Sequence, residues 1–180
     1  MAEEGIDDPF AARHKAALRL DLATARDLPG GEEILVALSD YLDLFQSAPH
    51  RQRLRELRLT AREAMRLLAP IGEVRLVGPV LNGTAVTSTP VTLHLLDITP
   101  EEVVIRLLEQ RINYRESTCT VDYGPRDRRD AAAFVLQMDG ITVEAVVFPP
   151  DAPRQAPLCP ITGRAQKRAA SNAVKRLLAD

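Results

Sequence analysis

The sequence predicts an α/β fold of the α+β class, with an N-terminal helical region leading into a mixed sheet. Three observations predict it. Apolar residues in the first 70 positions recur at three- and four-residue steps. From Glu73 onward the apolar residues fall in short strand-like runs. Asp139-Gly140, the dipeptide preferred in two-residue hairpin turns, separates two of those runs.

Residues 9–28 read as a helix opened by Pro9 and closed at Leu28-Pro29-Gly30-Gly31. A second helix over 32–47 places Ile34, Leu38, Tyr41, Leu42 and Phe45 at helical steps, with Glu32 and Glu33 where the helix dipole favours negative charge. Pro49 marks its end or the start of the next. Residues 50–69 carry Leu54, Leu57, Ala61, Ala64, Met65 and Leu68 on one stripe, so this third helix buries one face, and Pro70 and Gly72 stop it. Strands follow at 73–79 and 91–97, separated by a polar, Gly-containing loop. Thr99-Pro100-Glu101-Glu102 is a capping box with proline at the first helical position and opens a helix to about Arg111. Residues 113–123 form a strand with Cys119, Val121 and Tyr123 on one side. Gly124 to Asp130 is a charged loop, and the hairpin strands occupy 131–138 and 141–148. After Pro149 and Pro150 a Pro-rich connector reaches a C-terminal helix at about 164–179.

Composition narrows the class. At 180 residues the chain accommodates one fully cored domain with a helical extension, and its 46% hydrophobic content places it outside the disordered range. The acidic Met-Ala-Glu-Glu start differs from a basic signal peptide, and no apolar run approaches the roughly 20 residues that span a bilayer. A cytoplasmic location and no membrane association are expected. Neither cysteine, Cys119 or Cys159, has a second Cys or a His at metal-ligand spacing, so no disulfide framework or zinc site is expected. The net charge of −2 hides a basic tail, because Arg154, Arg164, Lys167, Arg168, Lys175 and Arg176 occur between Ala152 and Ala179 without an acid. Without interleaved aromatics such a tail binds nucleic acid weakly, and its cations are ordinarily just solvated.

The stretch from Gly78-Pro79 through Asn82-Gly83-Thr84-Ala85 to Pro90-Val91-Thr92-Leu93 resembles the signature of the nucleotidyltransferase superfamily, the DNA polymerase beta-like palm. That signature reads Gly-Ser, a small-residue Gly-Thr-Ala step, then Ser-Asp-x-Asp-Leu. Gly78, Gly83, Thr84, Ala85 and Leu93 fall in register with it without a gap, and the order of helices and strands agrees. The resemblance covers about half the chain. It divides the sequence into an N-terminal helical extension (1–70), a nucleotidyltransferase-like palm (71–150), and a Pro-rich connector with a basic C-terminal helix (151–180).

The resemblance implies a phosphate-holding loop and two strand aspartates that bind catalytic metal ions, with a third carboxylate from a later strand. It makes Gly78, Asn82, Gly83, Thr84 and Thr92 the nucleotide-binding candidates. The departures fall on the chemistry: Pro79 replaces the Ser, and Pro90 and Thr92 replace the aspartates. Glu144 is the candidate for the third acid. One acid cannot hold two magnesium ions, so no metal or other cofactor is expected. Strand parity puts Pro90, Thr92 and His94 on one face, and Thr142, Glu144, Val146 and Phe148 on one face of the hairpin strand, so His94 and Glu144 could meet as an acid–base pair.

Three readings follow. The first is a degenerate nucleotidyltransferase-like protein, a non-catalytic nucleotide- or nucleic-acid-binding or regulatory module. The second is an active magnesium-dependent transferase with displaced ligands such as Asp97, Glu144 and Asp139. The third is a protein-interaction module in which the N-terminal helices meet a protein partner and the palm is a scaffold. A structural alternative also stands, in which Asn82-Gly83 is simply a turn and Val91 to Leu96 a core strand.

Overall fold

A computed structural model describes residues 29–45 and 47–179. The helix expected over 9–28 lies outside them. The chain runs α1 (Gly31–Phe45), α2 (Ser47–Leu68), a 3-10 turn (Ala69–Ile71), β1 (Glu73–Val77), α3 (Gly78–Asn82), β2 (Val91–Leu96), α4 (Pro100–Glu109), β3 (Tyr114–Asp122), β4 (Arg128–Met138), β5 (Ile141–Phe148) and α5 (Ser171–Leu177). It is an α+β fold.

The five strands form one mixed sheet in the order β1-β2-β5-β4-β3. β2 and β5 are parallel, and every other neighbouring pair is antiparallel. β4 and β5 form the expected hairpin. Asp139 and Gly140 both have positive φ, 50° and 76°, as a turn matching the sheet's right-handed twist requires.

The stripe read from the sequence of α2 is the face that packs on the sheet. Leu57, Ala61, Ala64, Met65 and Leu68 join Leu93, Leu95, Val143, Ala145, Val147, Phe134 and Leu136 in one buried cluster, together with Val103 and Leu107 of α4 and Val174 of α5. One face of the sheet is therefore covered by helices. α4 begins at the expected capping box, with Thr99 Oγ1 accepting from Glu102 N and Glu102 Oε2 accepting from Thr99 N. α1 is more exposed: Leu42 is buried, while Val36 and Leu44 are 61% and 76% exposed.

Several boundaries differ from the sequence reading. Pro49 falls in the first turn of α2, where its missing N–H removes nothing the helix needs. The strand expected over 73–79 ends at Val77, because Gly78 turns the chain into α3. β4 begins at Arg128 rather than 131, since Arg128, Arg129 and Asp130 pair with Asp122, Val121 and Thr120. The largest correction is the C-terminal helix. It is confined to Ser171–Leu177, and the preceding residues cross the sheet as an extended strap. Ala169 N donates to Leu76 O, and Ala169 O accepts from Leu76 N, both at 2.9 Å. Pairing with the free edge of β1 outweighs the helix propensity of this Ala/Lys/Arg-rich segment.

Candidate functional site

The signature-like segment starts at the end of β1. Gly78 has φ 74°, and a side chain there would meet nothing within 4 Å. It opens α3, a single helical turn with Pro79 in its first positions. Gly83 closes α3 in the left-handed region, φ 85°, its N–H bonding back to Pro79 O. A residue without Cβ penalty is needed there, so Gly83 has a structural reason to be glycine. Thr84 N also donates to Pro79 O, and Thr84 and Ala85 are buried. Asn82 is exposed.

α2 holds the rest of this loop in place. His50 Nε2 donates to Gly83 O at 3.0 Å, Arg53 Nη2 to Thr87 O at 3.2 Å, and Arg58 Nε to Val80 O at 3.3 Å. These contacts join residues more than twenty positions apart, and no local sequence pattern announces them.

Strand register fixes what faces the side of the sheet opposite the helices. Val77, Thr92, Glu144, Val135 and Arg115 form one cross-strand row, through the pairs Val77↔Thr92, Thr92↔Glu144, Val135↔Glu144 and Arg115↔Val135. The next row holds Arg75, His94, Val146, Ala133 and Ser117. Thr92 and Glu144, both half-buried, are thus direct neighbours beside Pro90. The structure brings together Thr92 and Glu144, two of the residues singled out in the sequence. Glu144 also acts at a distance on Cys119, whose thiol is pushed up by burial first and then by the Glu144 and Asp130 carboxylates. That thiol is a poor nucleophile.

His94 and Glu144 share this face, but His94 is engaged elsewhere. It is 3% exposed and lies opposite Val146. Its Nδ1 accepts from Arg168 Nε at 3.1 Å, and its ring tilts on Phe148 with centroids 4.6 Å apart. Arg168 Cζ sits 5.0 Å from the Phe148 centroid. Burial, and secondly the Arg168 charge, hold the His94 imidazole down to about 3. It is therefore neutral near pH 7, with the accepting lone pair already occupied. That arrangement suits a structural pin for the strap rather than a general base. Sequence reasoning missed Arg168 and Phe148 as His94's partners.

The basic tail is likewise not uniformly solvated. Arg168 is half-buried against the sheet and Arg164 Nη1 pairs with Glu32 of α1 at 2.5 Å, whereas Arg154, Lys167, Lys175 and Arg176 are exposed.

No metal-binding geometry accompanies the motif. Among the described residues no group of three or more His, Cys, Asp or Glu side chains could hold an ion. Asp97 lies just past the far end of β2, and Asp139 lies in the β4–β5 turn, so Asp97, Glu144 and Asp139 do not converge. Two hollows, of about 450 and 250 Å³, lie at the opposite end of the sheet. The first is lined by Asp122, Gly124, Pro125, Arg126, Arg128 and Leu158; the second includes Tyr123, Phe148 and Pro149. Among the described residues no helix is long and apolar enough to cross a membrane. No family model, curated protein or solved structure matches the chain significantly.

Proposed function

We propose that this chain is a degenerate nucleotidyltransferase-like protein that acts as a non-catalytic nucleotide- or nucleic-acid-binding or regulatory module. The observation that carries the reading is the in-register pairing of Thr92 with Glu144 on the open face of the sheet, beside the Gly78 turn. In a catalytic palm the corresponding strand would add two aspartates to the later acid. Here Pro90 and Thr92 leave one carboxylate, and two divalent ions carry too much charge for it to offset. Phosphoryl-type transfer depends on that charge stabilisation, so binding without turnover is the function the residues support.

The ligand class is a nucleoside triphosphate. Calorimetric titration with nucleoside triphosphates should give binding that is indifferent to magnesium. Glu144→Gln should strengthen it, because the carboxylate repels phosphate. Absence of binding to every nucleotide, or transfer of label from a nucleoside triphosphate that disappears in Glu144→Ala, would overturn the reading.

The exposed Val36 and Leu44 of α1 favour a second reading, in which the N-terminal helices receive a protein partner. A photo-crosslinking residue at position 36 that captures one protein reproducibly in cells, and loses it with Leu44→Glu, supports it. Capture of nothing removes it.

A further inference from the structure

The two edges of the sheet are finished differently. β1 is closed by Ala169, which exchanges both backbone hydrogen bonds with Leu76. β3, at the other edge, is nine residues long and pairs with β4 without interruption from Tyr114 to Asp122. Backbone bonds at its end show which residues point outward. Tyr123 N donates to Asp127 O, toward the β4 side, whereas Asp122 O accepts from Leu158 N. Backbone direction alternates along an antiparallel strand, so Tyr114, Glu116, Thr118 and Thr120 direct N–H and C=O away from the sheet. Among the described residues no backbone group bonds to the outer edge of β3 except Leu158, at Asp122.

This edge lacks two of the usual protections against pairing, having no proline and no bulge. Its charged residues, Arg115, Glu116 and Asp122, are of both signs, and Thr118, Thr120 and Val121 favour strands. We propose that it is an interface on which a second copy of this chain docks, β3 antiparallel to β3 about a two-fold axis at Ser117. The register follows from the outward residues and the charges. Pairing centred on Arg115 or Glu116 sets like charges against each other, and centring on Cys119 opposes Glu116 to Asp122. Centring on Thr118 assigns Tyr114 to Asp122, whose carbonyl is already taken by Leu158. Centring on Ser117 matches Glu116 with Thr118 and Tyr114 with Thr120, using every free outward residue and opposing no like charges.

A second copy fits this edge better than a foreign peptide. An added peptide strand carries a new open edge outward, whereas the two-fold pairing satisfies both copies at once and leaves Ala169 closing each outer side. The result is one continuous ten-stranded sheet, with the Thr92–Glu144 rows of both copies on the same face.

The full chain should sediment as a dimer. Thr118→Pro removes an outward donor without breaking a β3–β4 bond, so it should sediment at half that mass with an unchanged far-ultraviolet circular dichroism spectrum. Ser117 lies in a non-hydrogen-bonded pair with its own copy, where Cα atoms are about 4.5 Å apart, within disulfide range. In a Cys119→Ser, Cys159→Ser background, Ser117→Cys should therefore form an intermolecular disulfide on mild oxidation, and Thr120→Cys should not. A chain that stays monomeric up to its highest soluble concentration overturns the proposal. So does a dimer that persists in Thr118→Pro or crosslinks through Thr120→Cys.

Discussion

The two halves of β5 meet different surroundings, and on the face opposite the helices one half is polar (Thr142, Glu144) and the other apolar (Val146, Phe148). In the N-terminal half, Ile141, Val143 and Ala145 are buried while Thr142 and Glu144 are half-exposed, which is the alternation of a strand with one wet face. From Ala145 to Phe148 every residue is buried, because the strap carrying Ala152 and Arg168 covers the second face there. A strand can therefore belong to an open face at one end and to a two-sided core at the other. Wherever the strap reaches, polar groups must find protein partners, and His94 finds Arg168. Where it does not reach, Thr92 and Glu144 remain partly open to solvent.

The contrast can be tested most strongly through the core residues on the helix side. Leu93→Ala should cost about 2–5 kcal/mol, because Leu93 is fully buried under α2, whereas Thr92→Ala on the open face should cost well under 1 kcal/mol. Urea unfolding of both variants measures the difference. Equal losses would mean that the Thr92 face is also packed.

Acid should act on the covered half. The unfolded chain protonates His94 below about 6.5, but the folded chain refuses that proton down to about 3. Stability from this residue is intact above pH 6.5 and is lost as pH falls, by about 2 kcal/mol at pH 5. His94→Asn should flatten the profile between pH 6.5 and 5. An unchanged slope in that variant would assign the acid sensitivity elsewhere. Arg168→Ala should cost about 1–2 kcal/mol by leaving the buried imidazole acceptor unpaired, and should speed hydrogen exchange at the Leu76 and Ala169 amides before other sheet amides.

A smaller change is expected at the open half. Pro90→Asp with Thr92→Asp places new carboxylates beside Glu144, so the double variant should bind manganese in a calorimetric titration where the original chain does not. Glu144→Gln should then abolish the gain. The smallest effect concerns the exposed tail: Lys175→Ala and Arg176→Ala should shift stability by less than about 0.5 kcal/mol. Nucleic acid should bind this segment weakly and with strong salt dependence, and tight binding at physiological salt would show that the tail has a larger role.

Features carried by local physics were legible in the sequence. The Thr99–Glu102 capping box, the Asp139-Gly140 turn and the α2 stripe each depend on residues within a turn or two, and each stands where it was expected. Strand parity also placed His94, Thr92 and Glu144 on a shared face. Parity does not name partners, however, and His94's hydrogen-bond partner lies 74 positions away. Arg168 looked like one more solvated cation because its neighbours are Lys167 and two alanines. The strap was hidden for the same reason, since Ala165 to Ala170 has helix-favouring composition and is extended by pairing with Leu158 and with the edge of β1. The Gly83-Thr84-Ala85 step has a local explanation in the cap of α3, so the motif by itself is no argument for ligand binding.

The bond pair between Leu76 and Ala169 also sets an order of events during synthesis. β1 leaves the ribosome early, but the residue that closes its edge follows only after the other four strands have been made. At roughly 5–20 residues per second, that edge waits several seconds with its backbone groups unmatched. A chain cut short before Ala169 would keep that edge open permanently, so premature termination near the end should yield products prone to aggregate despite having every strand of the sheet.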